Sequence, residues 1–261
     1  MKKTLPIANG IALVTTIAVN YLSNTGMLNG NTMKTMSDKY FNYFTPDGYA
    51  FSIWGLIYLG LLGFVVYTGR SLFKPNTEEK VVSKVGWWFV LSCIANSLWV
   101  VAWLYDLTGA SVLIMVVLLI SLLKIIVNTQ MELDSQPFTK YIFLFWPFGL
   151  YAGWISVALI ANISAFLSKI NWDGWGVSEV NWTIIMICVA GLINIMMISM
   201  RNLRDYGLVG VWALLAIAAA NYGNPESTAI VYTCYIVSAV LLVFVLINGF
   251  GHYRRRRINA A

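Results

Sequence analysis

The stretch Phe44-Thr45-Pro46-Asp47-Gly48-Tyr49-Ala50-Phe51-Ser52-Ile53-Trp54-Gly55-Leu56-Ile57-Tyr58 decides how the chain is read. A polar loop ends at Pro46, and residues 49–67 carry no charge, so the chain passes from water straight into an apolar medium. Phe51, Trp54 and Tyr58 stand at i, i+3 and i+7, which lines three aromatic groups along one face of a helix.

Composition sets the medium. With 59% hydrophobic and 11% charged residues and a mean hydropathy of +0.72, the 261-residue chain is too apolar for a water-soluble globule and reads as an integral membrane protein in a lipid bilayer. Its eleven tryptophans fall in or beside apolar runs, where an indole can sit at the headgroup level or line a cavity. The formal charge of +6 does not call for nucleic acid, because a membrane chain needs basic loops to fix its orientation. Cys93, Cys188 and Cys234 lie singly in apolar stretches without CxxC spacing and read as small hydrophobes. The one histidine, His252, adjoins the basic tail, so no histidine-rich metal centre is expected.

The pattern predicts an all-α membrane fold of about eight spans, over 7–22, 49–73, 87–105, 110–130, 141–167, 182–200, 206–222 and 228–250. The first of these resembles a signal peptide, but Asn9, Asn20 and the lack of an A-x-A site favour a retained span. Residues 23–48 form a long polar connector, a candidate lid. With the N-terminus inside, the inner segments collect Lys2, Lys3, Arg70, Lys74, Lys80, Lys84, Lys124, Lys140, Arg201, Arg204 and Arg254 to Arg257, and the outer ones only Lys34, Lys39 and Lys169. Fourteen against three predicts an even number of spans with both termini in the cytoplasm. No carboxylate lies deep in a span, which argues against a proton-driven pump.

Two later spans carry stripes like that of Trp54. Ser92, Asn96, Trp99 and Trp103 fall at i, i+4, i+7 and i+11, and Tyr151, Trp154, Ala158 and Asn162 at i, i+3, i+7 and i+11, each set on one helical face. In the topology above, Trp54, Tyr58, Asn96, Trp99, Trp103, Trp154 and Asn162 share the outer half of the membrane, under the long first loop. A single buried Asn is commonly interhelical glue worth under about 1 kcal/mol, and a single Trp near a helix end is commonly part of the interfacial belt. Three stripes at one depth point instead to a pocket for a flat apolar ligand, stacked on rings and oriented by amides. The ligand-binding candidates are Trp54, Tyr58, Asn96, Trp99, Trp103, Tyr151, Trp154 and Asn162.

Trp54-Gly55-x-Ile57-Tyr58, Asn96-x-x-Trp99, and Tyr151-x-x-Trp154 followed eight residues later by Asn162 resemble the motifs of the translocator protein family, also called TspO or tryptophan-rich sensory proteins. The resemblance covers about residues 5–172 and implies a five-helix bundle over 1–172. Three additional transmembrane helices over 173–252 and a basic cytoplasmic tail over 253–261 would then extend it. It also implies binding of porphyrins, sterols or synthetic ligands for sensing or transport, with Trp54, Asn96, Trp99 and Trp154 lining the pocket. Trp54 and Trp154 would be the candidates for light-dependent porphyrin breakdown. Porphyrin would enter as ligand; no cofactor is called for.

Gly207-x-x-Gly210-x-Trp212 and Asn221 echo the fifth-span motif, but their Trp-to-Asn spacing is nine rather than eight. The run 216–220 reads as a close helix-packing surface. The last three helices would either cover the core in place of a homodimer contact or add a second site, which leaves the oligomeric state open. The alternative function is a small-molecule secondary transporter, for which internal pseudosymmetry and a broken helix are expected. An enzyme is disfavoured, since no nucleophile adjoins a base and no metal-ligand spacing occurs.

Overall fold

The computed structural model describes residues 3–73, 79–133 and 136–258, with the side chains of Glu79 and of residues 250–258 also left aside. Lys2, Lys74 and the side chains of the tail arginines, which enter the charge count, lie outside the described residues. Among the described residues there is no strand, and eight helices have 17 residues or more. These are α1 (Thr4–Leu22), α2 (Ile53–Gly69), α3 (Trp88–Leu104), α4 (Thr108–Thr129), α5 (Trp146–Lys169), α6 (Glu179–Arg201), α7 (Arg204–Asn221) and α8 (Thr228–Ile258). Among the described residues six segments are long and apolar enough to cross a membrane; α3, with 17 residues, is a shorter apolar helix, and α7 is not among the six.

The connectors hold more structure than the hydropathy pattern indicated. The first loop contains a short helix, Met33–Lys39, started by a capping box in which Thr32 and Thr35 exchange side-chain and backbone hydrogen bonds. Another short helix, Glu79–Val85, lies in the connector between the second and third predicted spans. Ahead of α2 the backbone first winds as a tighter helical turn, Gly48–Ser52, steadied by the Asp47 carboxylate accepting the Tyr49 N–H at 3.1 Å. The chain enters α5 through a wide π turn, Tyr141–Phe145. Pro147 lies just beyond it, where its ring would crowd the carbonyl four residues earlier and its missing N–H would break the ladder; the widened turn relieves both.

The described chain falls into two compact units, Met1–Phe41 with Phe51–Trp172, and Asn42–Ala50 with Asp173–Ala261. In the first, α3 packs on α1 and α4, α4 on α5, and α2 on α1 and α5. Hydrophobic side chains turn outward all round it, Leu59 at 68% and Leu113 at 70% exposure among them, as lipid-facing residues do. Part of its core is aromatic, with Phe64, Phe89 and Phe148 in mutual edge contact at 4.9–5.7 Å.

In the second unit α6, α7 and α8 pack on one another through small residues. A Cβ at Gly191 would meet Val237 at 2.7 Å, and one at Gly210 would collide with the Asn194 amide, so these glycines permit close helix approach. Residues 42–50 lie along α7. Asn221 donates to the Tyr43 carbonyl at 2.9 Å, Asp47 N–H to the Ala216 carbonyl at 3.0 Å, and the Trp212 indole to the Ala50 carbonyl at 3.2 Å. The faint echo motif on this helix therefore holds a strap of backbone, and the run 216–220 contributes a carbonyl to it.

Candidate functional site

Trp54 is the hub of an aromatic cluster in the first unit. Its ring stacks on Tyr58 at 5.4 Å and on Trp99 of α3 at 6.4 Å, and meets Tyr151 of α5 edge-on at 5.7 Å. Helical spacing explains the first contact, since i and i+4 lie over one another. The other two require α2, α3 and α5 to converge. Trp154, one turn along α5 from Tyr151, meets Phe51 edge-on at 5.9 Å. Trp103 is buried near the end of α3, and among the described residues no ring contact or indole hydrogen bond joins it to the others.

The amides are wired to the rings. Trp99 donates its indole N–H to Asn162 Oδ1 at 2.9 Å, and Asn162 Nδ2 donates to Ser111 Oγ on α4 at 2.8 Å. Asn96 Nδ2 donates to the Tyr151 hydroxyl at 2.9 Å, while Asn96 Oδ1 accepts from Asn20 Nδ2 of α1 at 2.7 Å. Both buried amides are thus bonded through their oxygen and their nitrogen to the protein itself, which in an apolar medium locks the four helices α1, α3, α4 and α5 in one register. The polar atom left over is the Tyr58 hydroxyl, buried and without a hydrogen-bond partner.

Sequence reasoning missed Ser111 and the role of α1. The signal for α1 was present: Asn9, Thr16 and Asn20 stand at i, i+7 and i+11, the same face rule that picked out α3. Thr16 donates to the Cys93 carbonyl at 3.1 Å, in line with that stripe. Ser111, whose hydroxyl also donates to the Thr108 carbonyl of α4 at 2.7 Å, stands on a helix with no aromatic stripe to mark it.

The first loop is fastened above this cluster at the ends of α3 and α5. Asn29 and Asn31 each donate to the Leu104 carbonyl at 3.0 Å, capping α3. Asp106, at the tight turn between α3 and α4 with φ +63, accepts from Lys39 at 2.7 Å, from the Tyr40 hydroxyl at 3.0 Å and from Lys169 at 2.9 Å. Burial pushes the Asp106 carboxyl up, but the hydrogen bonds from Lys39, Lys169 and Tyr40 outweigh it and hold the group down at about 2. The same Asp106 contact, with Tyr40, raises the Lys39 ammonium above its usual value. Among the described residues no group of His, Cys, Asp and Glu is placed to hold a metal ion.

An all-helical, lipid-faced bundle with buried polar and aromatic contacts between its spans defines a multi-pass integral membrane protein. A family model described as TSPO-like protein matches residues 6–247, and the chain belongs to that family. The match runs through α6 and α7 and nearly to the end of the described α8 side chains, so the last three helices, which the motif resemblance left outside, lie within it. Comparison with curated proteins found no match, and neither did comparison with solved structures.

Proposed function

We propose that the chain binds a flat hydrophobic ligand of porphyrin or tetrapyrrole type within the membrane, for sensing or transport, at the cluster centred on Trp54. The observation that carries this reading is the Tyr58 hydroxyl, buried without a partner beneath the half-buried Trp54 ring on which it stacks. An unsatisfied buried hydroxyl costs about 1–3 kcal/mol, and a ligand acceptor at that point recovers it. A planar ligand stacked on Trp54 would replace ring contacts with ring contacts, so opening the cluster loses little dispersion energy. Because Asn96 and Asn162 already bond to protein partners, Tyr58 takes over the orienting role that the sequence pattern assigned to the amides.

The basic-residue count supports an orientation with both termini cytoplasmic and the Trp54 cluster in the outer leaflet. Titration with a porphyrin while following tryptophan fluorescence tests the reading. Saturable quenching is expected, weakened together in Trp54→Phe and Trp154→Phe; unchanged quenching in both variants would remove the proposed site.

A further inference from the structure

The cluster at the ends of α3 and α5 has more positive charge than its role as a fastener needs. Two ammonium groups, Lys39 and Lys169, converge on the single carboxylate of Asp106. The neighbouring loop carboxylate, Asp38, is occupied by Lys34 at 2.6 Å and does not neutralise the excess. Lys39 uses one of its three donors on Asp106 Oδ2, and Lys169 uses two, on Asp106 Oδ1 and the Asp106 carbonyl. Each ammonium keeps a donor in hand. The side chains of Lys39 and Lys169 are 52% and 33% exposed, so an incoming anion has access to both. The Tyr40 ring lies within cation–π range of both charges, 5.1 Å from Lys39 and 5.7 Å from Lys169, and so keeps the two ammonium groups near one another.

The position is set by helical rise. Asp106 follows Trp99 by seven residues and Lys169 follows Asn162 by seven, so the charged cluster lies about 10 Å beyond the Trp99–Asn162 hydrogen bond along both chains. A planar molecule stacked at Trp54 with acidic substituents on one edge would have its apolar face among the rings and its acidic edge at this height.

We propose that Lys39 and Lys169 are the recognition site for a ligand carboxylate, with Asp106 as the resident counter-ion, so that the preferred ligand is an acidic amphipathic planar molecule rather than a neutral one. This rests on the ligand reading of the Trp54 cluster. The incoming carboxylate bridges the unused donors of the two lysines, and the net positive charge of the cluster falls to zero. Asp106 repels the newcomer while holding the lysines in place, so it sets the affinity below what the two cations alone would give.

The experiment compares protoporphyrin IX with its dimethyl ester, which keeps the ring and loses the charges, using quenching of the full chain in nanodiscs. The readout is the ratio of the two affinities. Lys39→Gln and Lys169→Gln should each lower the acid-to-ester ratio by about two- to fivefold, as expected for partly exposed ion pairs. Asp106→Asn should raise it, and salt should lower it in the unmodified protein. A cluster that merely fastens the loop would shift acid and ester together and leave the ratio fixed in all three variants, which would overturn the proposal and leave the aromatic site standing. Absence of saturable quenching by either compound would overturn both.

Discussion

Trp99 and Asn162 stand 63 residues apart, and the indole N–H of the first donates to the amide oxygen of the second at 2.9 Å, buried between α3 and α5. The other end of that amide is bonded to Ser111, so a single asparagine ties three helices together. Replacing it with leucine keeps the bulk and strands the Trp99 N–H. Asn162→Leu should destabilise the bundle by about 1–2 kcal/mol, read as a lowered midpoint of thermal unfolding in detergent. Trp99→Phe combined with it should cost less than the sum of the two single changes, because the stranded donor is then gone.

Tyr58 separates stability from binding. Since its hydroxyl has no partner in the protein, Tyr58→Phe should leave unfolding unchanged or slightly raise it. Porphyrin affinity should fall about five- to tenfold, the worth of roughly one hydrogen bond. Equal quenching curves for the two proteins would show that the hydroxyl plays no part in binding.

The Asp106 fastening has a defined pH window. Its carboxyl is held below the ordinary value of 3.8, so the stabilisation it contributes is complete above that value and is lost as pH falls through about 2. Lys39 is raised, so its share persists below 10.5 and fades only as pH climbs above its folded value. Hydrogen exchange of residues 31–40, corrected for intrinsic rates, should therefore show constant protection between about pH 4 and pH 10. Asp106→Asn at neutral pH should lose much of it.

Asn221 and Trp212 hold the strap 42–50 within the second unit. Asn221→Ala frees the Tyr43 carbonyl, and Trp212→Phe retains ring contact with Tyr49, now at 5.1 Å, but loses the bond to Ala50. Both should raise exchange at the Asp47 amide, which is bonded to the Ala216 carbonyl, and Asn221→Ala the more strongly. An Asp47 amide equally protected in all three proteins would show that the strap holds without these side chains.

Glycine substitution distinguishes the packed faces from the open ones. At Gly210 an added Cβ drives into the Asn194 amide, and Gly210→Ala should cost about 1–3 kcal/mol. At Gly55 nothing lies within 4 Å, so Gly55→Ala should be neutral or stabilise by up to about 1 kcal/mol through helix propensity. Thermal unfolding of the two variants side by side reads the difference.

The sequence by itself determined the medium, the class and the family. Long uncharged runs can only be helices in lipid, because a spanning backbone must satisfy its own hydrogen bonds. Face rules and the topology then marked Trp54, Asn96, Trp99 and Asn162 as neighbours in depth, since side-chain period along a helix is fixed by backbone geometry. Which stripe meets which was not legible. Helix packing in lipid has no hydrophobic drive to name partners, and the choice falls to small residues and individual hydrogen bonds. Only the tertiary structure therefore decided that Asn162 serves Trp99, that Asn20 and Ser111 complete the polar network, that Trp103 stands apart from it, and that Trp212 and Asn221 bind a backbone strap. The clasp at Asp106 was hidden for the same reason: Lys39 and Asp106 lie on two connectors and Lys169 at the end of α5, far apart in the chain, and charges at such places carry no period to align them.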